Sequence, residues 1–323
     1  MRPQSHSIEH PHAPELTWTR RVLGPLHVTG VLWFKSAYWA IGWLPGHAVD
    51  LVILGAVTGF FFALRRVRKA IASNLEAALG PCGFWDRQRR IYRTMHAFAW
   101  CYAERYEYLQ HSKDFVVTVD GREHFESASQ GGAGLIFVTA HVGVWETASH
   151  LISSDLGRDA HVVREEEIDP RAQEFIRHLL DRSGERRYTT HFASDDPRLA
   201  ILLAQALREG SIVALQADRP RAGGRSWTAH LFGQTIGLPI GPAVLARVAG
   251  VCLLPIFCFR EGRRRYRLCI REPIRVAADG PRAAAIGAPL ERLAREIEWA
   301  IRREPYQWFC FKRLWPEQGR SGG

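Results

Sequence analysis

Read for the alternation of apolar and polar positions, the chain divides into two unlike parts. From Gly30 to Leu64, in "GVLWFKSAYWAIGWLPGHAVDLVILGAVTGFFFAL", aromatic and aliphatic residues dominate and a basic flank follows. Asp50 and the Pro45-Gly46 pair interrupt this stretch, and the uncharged run from Leu51 to Leu64 falls short of the roughly 20 residues a spanning helix needs. The pattern predicts a helical hairpin embedded in a membrane or lying at its interface. Trp33, Trp39 and Trp43 with Arg65, Arg66 and Arg68 fit an interfacial anchor whose basic side faces the cytoplasm. A buried soluble helix pair and a single oblique span are the competing readings.

Beyond "RRVRKAIASNLEAALG", which stops at a glycine, Ile91, Met95, Phe98 and Tyr102 recur at spacings of three and four and predict a helix. From about Phe115 short strands alternate with helices. The strands are expected at 115–120, 134–140, 161–165, 188–192, 211–217, 251–259 and 265–275. Asp169-Pro170 opens a helix that closes at Gly184, Asp196-Pro197 opens another that closes at Gly210, and a third is expected at 243–249. A last amphipathic helix carries Leu290, Leu293, Ile297 and Ile301, ahead of the aromatic and basic "EPYQWFCFKRLW". This order predicts an α/β fold, a mostly parallel mixed sheet flanked by helices, behind an N-terminal membrane-associating helical segment.

Composition adds a partner class. The 323 residues are 46% hydrophobic, enough for a core, and the net charge of +10 comes almost wholly from arginine, the lysines being Lys35, Lys69, Lys113 and Lys312. An anionic partner follows: a lipid surface, an acidic carrier protein or nucleic acid. No long basic arm or zinc-finger spacing is present, so nucleic acid is the weakest of the three. The six cysteines are scattered, several within apolar runs, as expected of reduced, buried thiols in a cytosolic protein. The first twenty residues are polar and lack a signal-peptide core, which predicts that the domain is not exported.

Candidate chemistry centres on "GLIFVTAHVGVWETASH", Gly134 to His150. A histidine followed five places later by an acid also occurs at His10, His150, His161 and His191, so spacing alone selects nothing. His141 is distinguished by following the most continuously apolar strand, at the carboxyl end where open α/β sheets place their sites. Gly143 permits a tight turn and Glu146 falls in the first turn of the next helix, from where its carboxylate can fix the imidazole tautomer. Nε2 is then free to take a proton from a substrate hydroxyl. An ordinary satisfied histidine beside a helix N-terminal glutamate is the alternative, and His191 with Asp196 is a rival pair. No G-x-S-x-G elbow, HExxH or third metal-spaced ligand occurs, so neither a serine acyl-enzyme nor a metal is expected.

These blocks, in order, resemble the late acyltransferases of lipid A biosynthesis, the lauroyl and myristoyl transferases of the lysophospholipid acyltransferase superfamily, from about Ser36 to Trp315. "HVGVWE" is similar to the H-x4-D/E motif, which implies His141 as base and Glu146 as its partner; Val144 stands where the family often has asparagine. The resemblance further implies substrate-binding roles for Arg164 in "HVVREEEIDP" and for Asp218 and Arg219 in "ALQADRPRAGG". It implies the same for Gly233, Pro239 and Gly241 in "HLFGQTIGLPIGPAVLA". Read without the family, these residues are surface ion pairs, strand-end turns and loop punctuation.

The resemblance implies a glycerolipid acyltransferase-like fold and an O-acyltransferase at the cytoplasmic side of the inner membrane. It would need no cofactor and no metal, and would take its acyl chain from an acyl carrier protein or another acyl thioester donor. The acceptor would be a hydroxyl of a lipid A precursor or related glycolipid. An ornithine lipid or phospholipid acceptor, a thioesterase, and a catalytically silent lipid-binding homologue remain open. The expected organisation is a polar tail at 1–29, a helical membrane-associating segment at 30–112, an acyltransferase domain at 113–316 and a disordered tail at 317–323.

Overall fold

The computed structural model describes residues 43–111, 114–145, 158–165, 174, 188–193, 197–220 and 223–315. Both tails, the first half of the expected hairpin, Glu146, Asp196 and all but residue 174 of the helix expected at 170–184 lie outside the described residues.

Three helices come first: α1 (Gly46–Ala63), α2 (Arg65–Leu79) and α3 (Phe84–His111). Leu64 leaves the helical region at φ −96° and ψ 65°, which separates the apolar α1 from the basic start of α2. At 18 residues α1 is about 27 Å long at 1.5 Å per residue, and it is apolar enough to associate with a membrane. Val49, Ile53 and Val57, spaced by four, are its buried residues, and they cluster with Ile91, Met95 and Trp100 of α3. Leu51, Val52, Leu54 and Phe62 are exposed. Phe98, expected on the same face as Ile91 and Met95, packs instead on Phe309 and Phe311, with ring centroids 5.3 and 4.9 Å away.

The seven expected strands form one sheet: β1 (Val116–Asp120), β2 (Leu135–Thr139), β3 (Ala160–Arg164), β4 (Tyr188–Phe192), β5 (Ile212–Gln216), β8 (Leu253–Gly262) and β9 (Arg265–Ile270). Their spatial order is β1-β9-β8-β2-β5-β3-β4, and every neighbouring pair is parallel except β8 with β9. β2, β3 and β5 therefore all end on one edge of the sheet. β2 is central and covered on both faces, which is why "LIFV" reads as an unbroken apolar run.

The helices α4 (Arg122–Ala128), α5 (Pro197–Arg208), α6 (Gly241–Ala249) and α7 (Arg282–Arg303) complete the layers. Side chains of α5, α6 and α7 pack on one face of the sheet; α3 and α4 pack on the other. β9 ends at Ile270, five residues before its expected end, because Pro273 cannot donate to a ladder and Ile274 pairs instead with Leu253.

A separate antiparallel hairpin, β6 (Ser226–Leu231) and β7 (Gln234–Pro239), stands where the sequence suggested only loop punctuation. Its two turn residues, Phe232 and Gly233, have φ of 53° and 73°, the left-handed pair a tight hairpin needs. Phenylalanine is a rare residue at such a position, so the turn gave no sequence signal.

A buried ionic cluster fixes α3 to the β8–β9 turn. The Glu104 carboxylate accepts hydrogen bonds from Arg260 Nε at 2.8 Å, Arg260 Nη2 at 3.0 Å, the Arg264 backbone N–H at 3.1 Å and Tyr266 Oη at 2.7 Å. Glu107 accepts from Arg264 Nη2 at 2.6 Å. Both carboxylates are buried and paired, as buried charge requires.

Candidate active site

His141 stands two residues past the end of β2, and Asp218 two residues past the end of β5. Thr139 and Gln216, the last residues of these strands, are register partners. The parallel ladder therefore carries His141 and Asp218 off the sheet side by side. His141 Nδ1 lies 2.7 Å from Asp218 Oδ1, and Arg219 Nη2 lies 2.7 Å from His141 Nε2.

Only one tautomer satisfies both contacts. The Asp218 carboxylate can only accept, so Nδ1 carries the hydrogen; guanidinium can only donate, so Nε2 presents its lone pair to Arg219. That is the tautomer a general base needs. Burial pushes the Asp218 carboxyl up, but the adjacent His141, through charge and hydrogen bond, and Arg219 outweigh it and hold the carboxyl below its ordinary range.

The backbone after His141 is clamped on three sides. Phe309 N–H donates to His141 O at 2.8 Å, Gly143 N–H to Gln307 O at 2.9 Å and Val144 N–H to Cys258 O at 2.8 Å. Gly143 has φ of 65°, and a Cβ there would collide with the Cys258 carbonyl. Gln307 is itself fixed, accepting from Arg260 N–H at 2.9 Å and donating to Arg260 O at 2.8 Å.

The C-terminal segment is held in turn by Asn74 of α2, 1% exposed. Its side chain donates to Cys310 O at 3.0 Å and Lys312 O at 2.8 Å and accepts from Leu314 N–H at 3.2 Å. No sequence signal marked Asn74, since a lone asparagine in a helix is ordinary until its partners, more than 230 residues away, are known.

Arg164, at the end of β3, is buried, and its guanidinium carbon lies 5.9 Å from the Trp145 ring centroid. That ring is 6.0 Å from the His141 imidazole, so Arg164 adjoins the site through Trp145. Asp218 was expected as a substrate contact; the structure places it on Nδ1 of the histidine, the position that the sequence assigned to Glu146. His191, from the rival pair, has its Nε2 2.9 Å from His161 Nδ1.

The hairpin residues are connected less directly. Gly233 lies in the β6–β7 turn, Pro239 closes β7 and Gly241 opens α6. Phe232, beside Gly233, packs its ring 5.9 Å from that of Trp308, which bridges to Val142, and Trp315 Nε1–H donates to Thr235 O at 2.9 Å.

The chemistry open to this site is base-assisted. Cys310, whose thiol is affected by Asp218 and Arg219, is pushed up to about 11, chiefly by burial, and so stays a thiol at neutral pH rather than a nucleophile. Among the described residues no group of three or more histidine, cysteine or acidic side chains could hold a metal ion.

Comparison with known proteins gives this geometry a family. The chain is 27% identical over 251 residues to a phosphatidylinositol mannoside acyltransferase of Mycobacterium tuberculosis (strain ATCC 25618 / H37Rv), covering 73% of this chain and 74% of the relative. A protein of the same name from Mycolicibacterium smegmatis is 25% identical over 194 residues, 58% of this chain and 62% of that relative. The family model for bacterial lipid A biosynthesis acyltransferases matches residues 25–317. With nearly the whole chain so matched, the protein belongs to the bacterial lipid A biosynthesis acyltransferase family and is an acyltransferase that acts on lipids.

Proposed function

We propose that the protein transfers a fatty acyl chain from a thioester, carried by acyl carrier protein, to a hydroxyl of a membrane glycolipid, with His141 as general base. The observation that carries this reading is the imidazole held between Asp218 at Nδ1 and Arg219 at Nε2. The acceptor hydroxyl replaces Arg219 at Nε2 and gives up its proton there as its oxygen bonds to the thioester carbonyl carbon. Arg219, displaced but adjacent, stabilises the oxyanion. The C–S bond then breaks, and the thiolate takes the proton back from the imidazolium. Asp218 stabilises the charged ring throughout, and Glu146, two residues beyond Val144 in the chain, would be a second acid for it.

The names of the relatives support a glycolipid acceptor, and the family supports either a lipid A precursor or a mannosylated phosphoinositide. The exposed apolar side of α1, followed by Arg65 and Arg66, suits the cytoplasmic face of the inner membrane. We read α1 as lying on the bilayer. Its buried side packs along α3 from Ile91 to Ala103, and the exposed Arg93 and the half-buried His96 of that stretch would be drawn into the lipid if α1 crossed it. Mass spectrometry of bacterial glycolipids after incubation with purified protein and acyl carrier protein thioesters tests the reading. One glycolipid should gain the mass of one acyl chain; free fatty acid alone would overturn it in favour of a thioesterase.

A further inference from the structure

Beneath the His141–Asp218 pair lies a row of polar side chains that the chemistry above does not use. In β2, Leu135 and Phe137 belong to the core on the α3 side of the sheet, and in β5 Ile212 belongs to the same core. Side chains alternate along a strand, so Thr139 and Gln216 turn to that face too. Register pairs Thr139 with Gln216, and Val162 of β3 with Ala214 of β5 and Thr190 of β4. By the same alternation Arg164 and Thr190 join the face. Polar groups from four adjacent strands thus line the sheet immediately before it delivers the catalytic histidine.

Two of these groups are incomplete. Gln216 Nε2 and Thr190 Oγ1 are buried, and neither has a hydrogen-bond partner among the described residues. A buried amide or hydroxyl left unpaired costs free energy and calls for a specific explanation. The row is bounded by Trp145, which contacts both the Arg164 guanidinium and the His141 ring. Thr139 is the last residue of β2 and His141 stands two residues beyond it, so the end of the row adjoins the histidine.

We infer that Gln216, with Thr139, forms a subsite for the ring of the acceptor, holding hydroxyls next to the one presented to His141 Nε2. An amide and a hydroxyl both donate and accept, as hydroxyls on a sugar or cyclitol require, whereas an ionised phosphate only accepts and would make no use of an acceptor. The inference rests on the proposed role of His141 and names the acceptor class it serves.

The test compares two acceptors of equal chain length, octyl mannoside and tetraethylene glycol monooctyl ether, which has one hydroxyl and no ring. Palmitoyl-acyl carrier protein is the donor, and unmutated protein, Gln216→Leu, Thr139→Val and His141→Ala are assayed. The unmutated protein should prefer the mannoside, and Gln216→Leu should lower kcat/KM for the mannoside about tenfold, as for one lost neutral hydrogen bond, while sparing the single-hydroxyl acceptor. Thr139→Val, nearly isosteric, should act in the same direction. Gln216→Leu should also melt no lower than the unmutated protein, since it removes an unpaired polar group. Equal use of both acceptors by the unmutated protein, or a preference that survives Gln216→Leu, overturns the subsite. Transfer that persists in His141→Ala would instead overturn the base assignment.

Discussion

Asp218 Oδ1 and His141 Nδ1 lie 2.7 Å apart although 77 residues separate them in the chain. The pairing of β2 with β5 makes this contact, and in the proposed mechanism it is what lets Asp218 orient the histidine base. Asp218→Asn should keep the fold and cut transfer by roughly 10³–10⁴-fold, the scale set by loss of the carboxylate that fixes a catalytic histidine tautomer. Steady-state transfer rates check this; a loss under about tenfold would mean that Asp218 does not orient the base.

Arg219 closes the other side of the ring, 2.7 Å from Nε2. If it becomes the donor to the oxyanion, Arg219→Ala should lower kcat by about 10²–10³-fold with little change in KM for the acceptor. Arg219→Lys should recover part of that loss. A rise in acceptor KM with kcat unchanged would place Arg219 in ground-state binding alone.

Much of this was legible in the sequence, and the exceptions have particular causes. The seven strands were readable because β2 and β8 are buried runs, and β5 an apolar one, bounded by turn residues. The β6–β7 hairpin was not, because Phe232 adopts a left-handed conformation without a residue type that announces it. His141 was singled out through its place after β2. The contact of Asp218 with His141 was not read from the sequence because a contact across two parallel strands depends on register, which is not local. Gln216 had a faint signal, a polar residue inside "SIVALQAD" two places before the acid, and Asn74 had none.

Glu104 is fully buried among Arg260, Arg264 and Tyr266. Replacing it with alanine leaves Arg260 without its carboxylate and should destabilise the protein by about 3–5 kcal/mol. Denaturant unfolding measures this, and a cost below about 1 kcal/mol would show that the cluster does not hold α3 to the sheet.

His161 and His191 are hydrogen-bonded and stacked, with ring centroids 5.2 Å apart. Burial lowers both, against Asp159 and Glu209 facing His161, and the charge of His161 lowers His191 further. Folded histidines that resist protons lose stability relative to the unfolded chain as pH falls below about 6.5, the ordinary value. The melting temperature should drop between pH 7.5 and 5.5, and His191→Gln should flatten that dependence. An unchanged slope in the variant would remove the pair as its source.

The most direct measurement of the central claim is transfer by His141→Ala beside the unmutated protein, with melting temperatures recorded for both. The alanine variant should melt within a few degrees of the parent, because the backbone clamps at His141 O, Gly143 and Val144 involve no imidazole atom. It should move no acyl chain above the rate without protein. Transfer within tenfold of the parent by a folded His141→Ala protein would contradict the account.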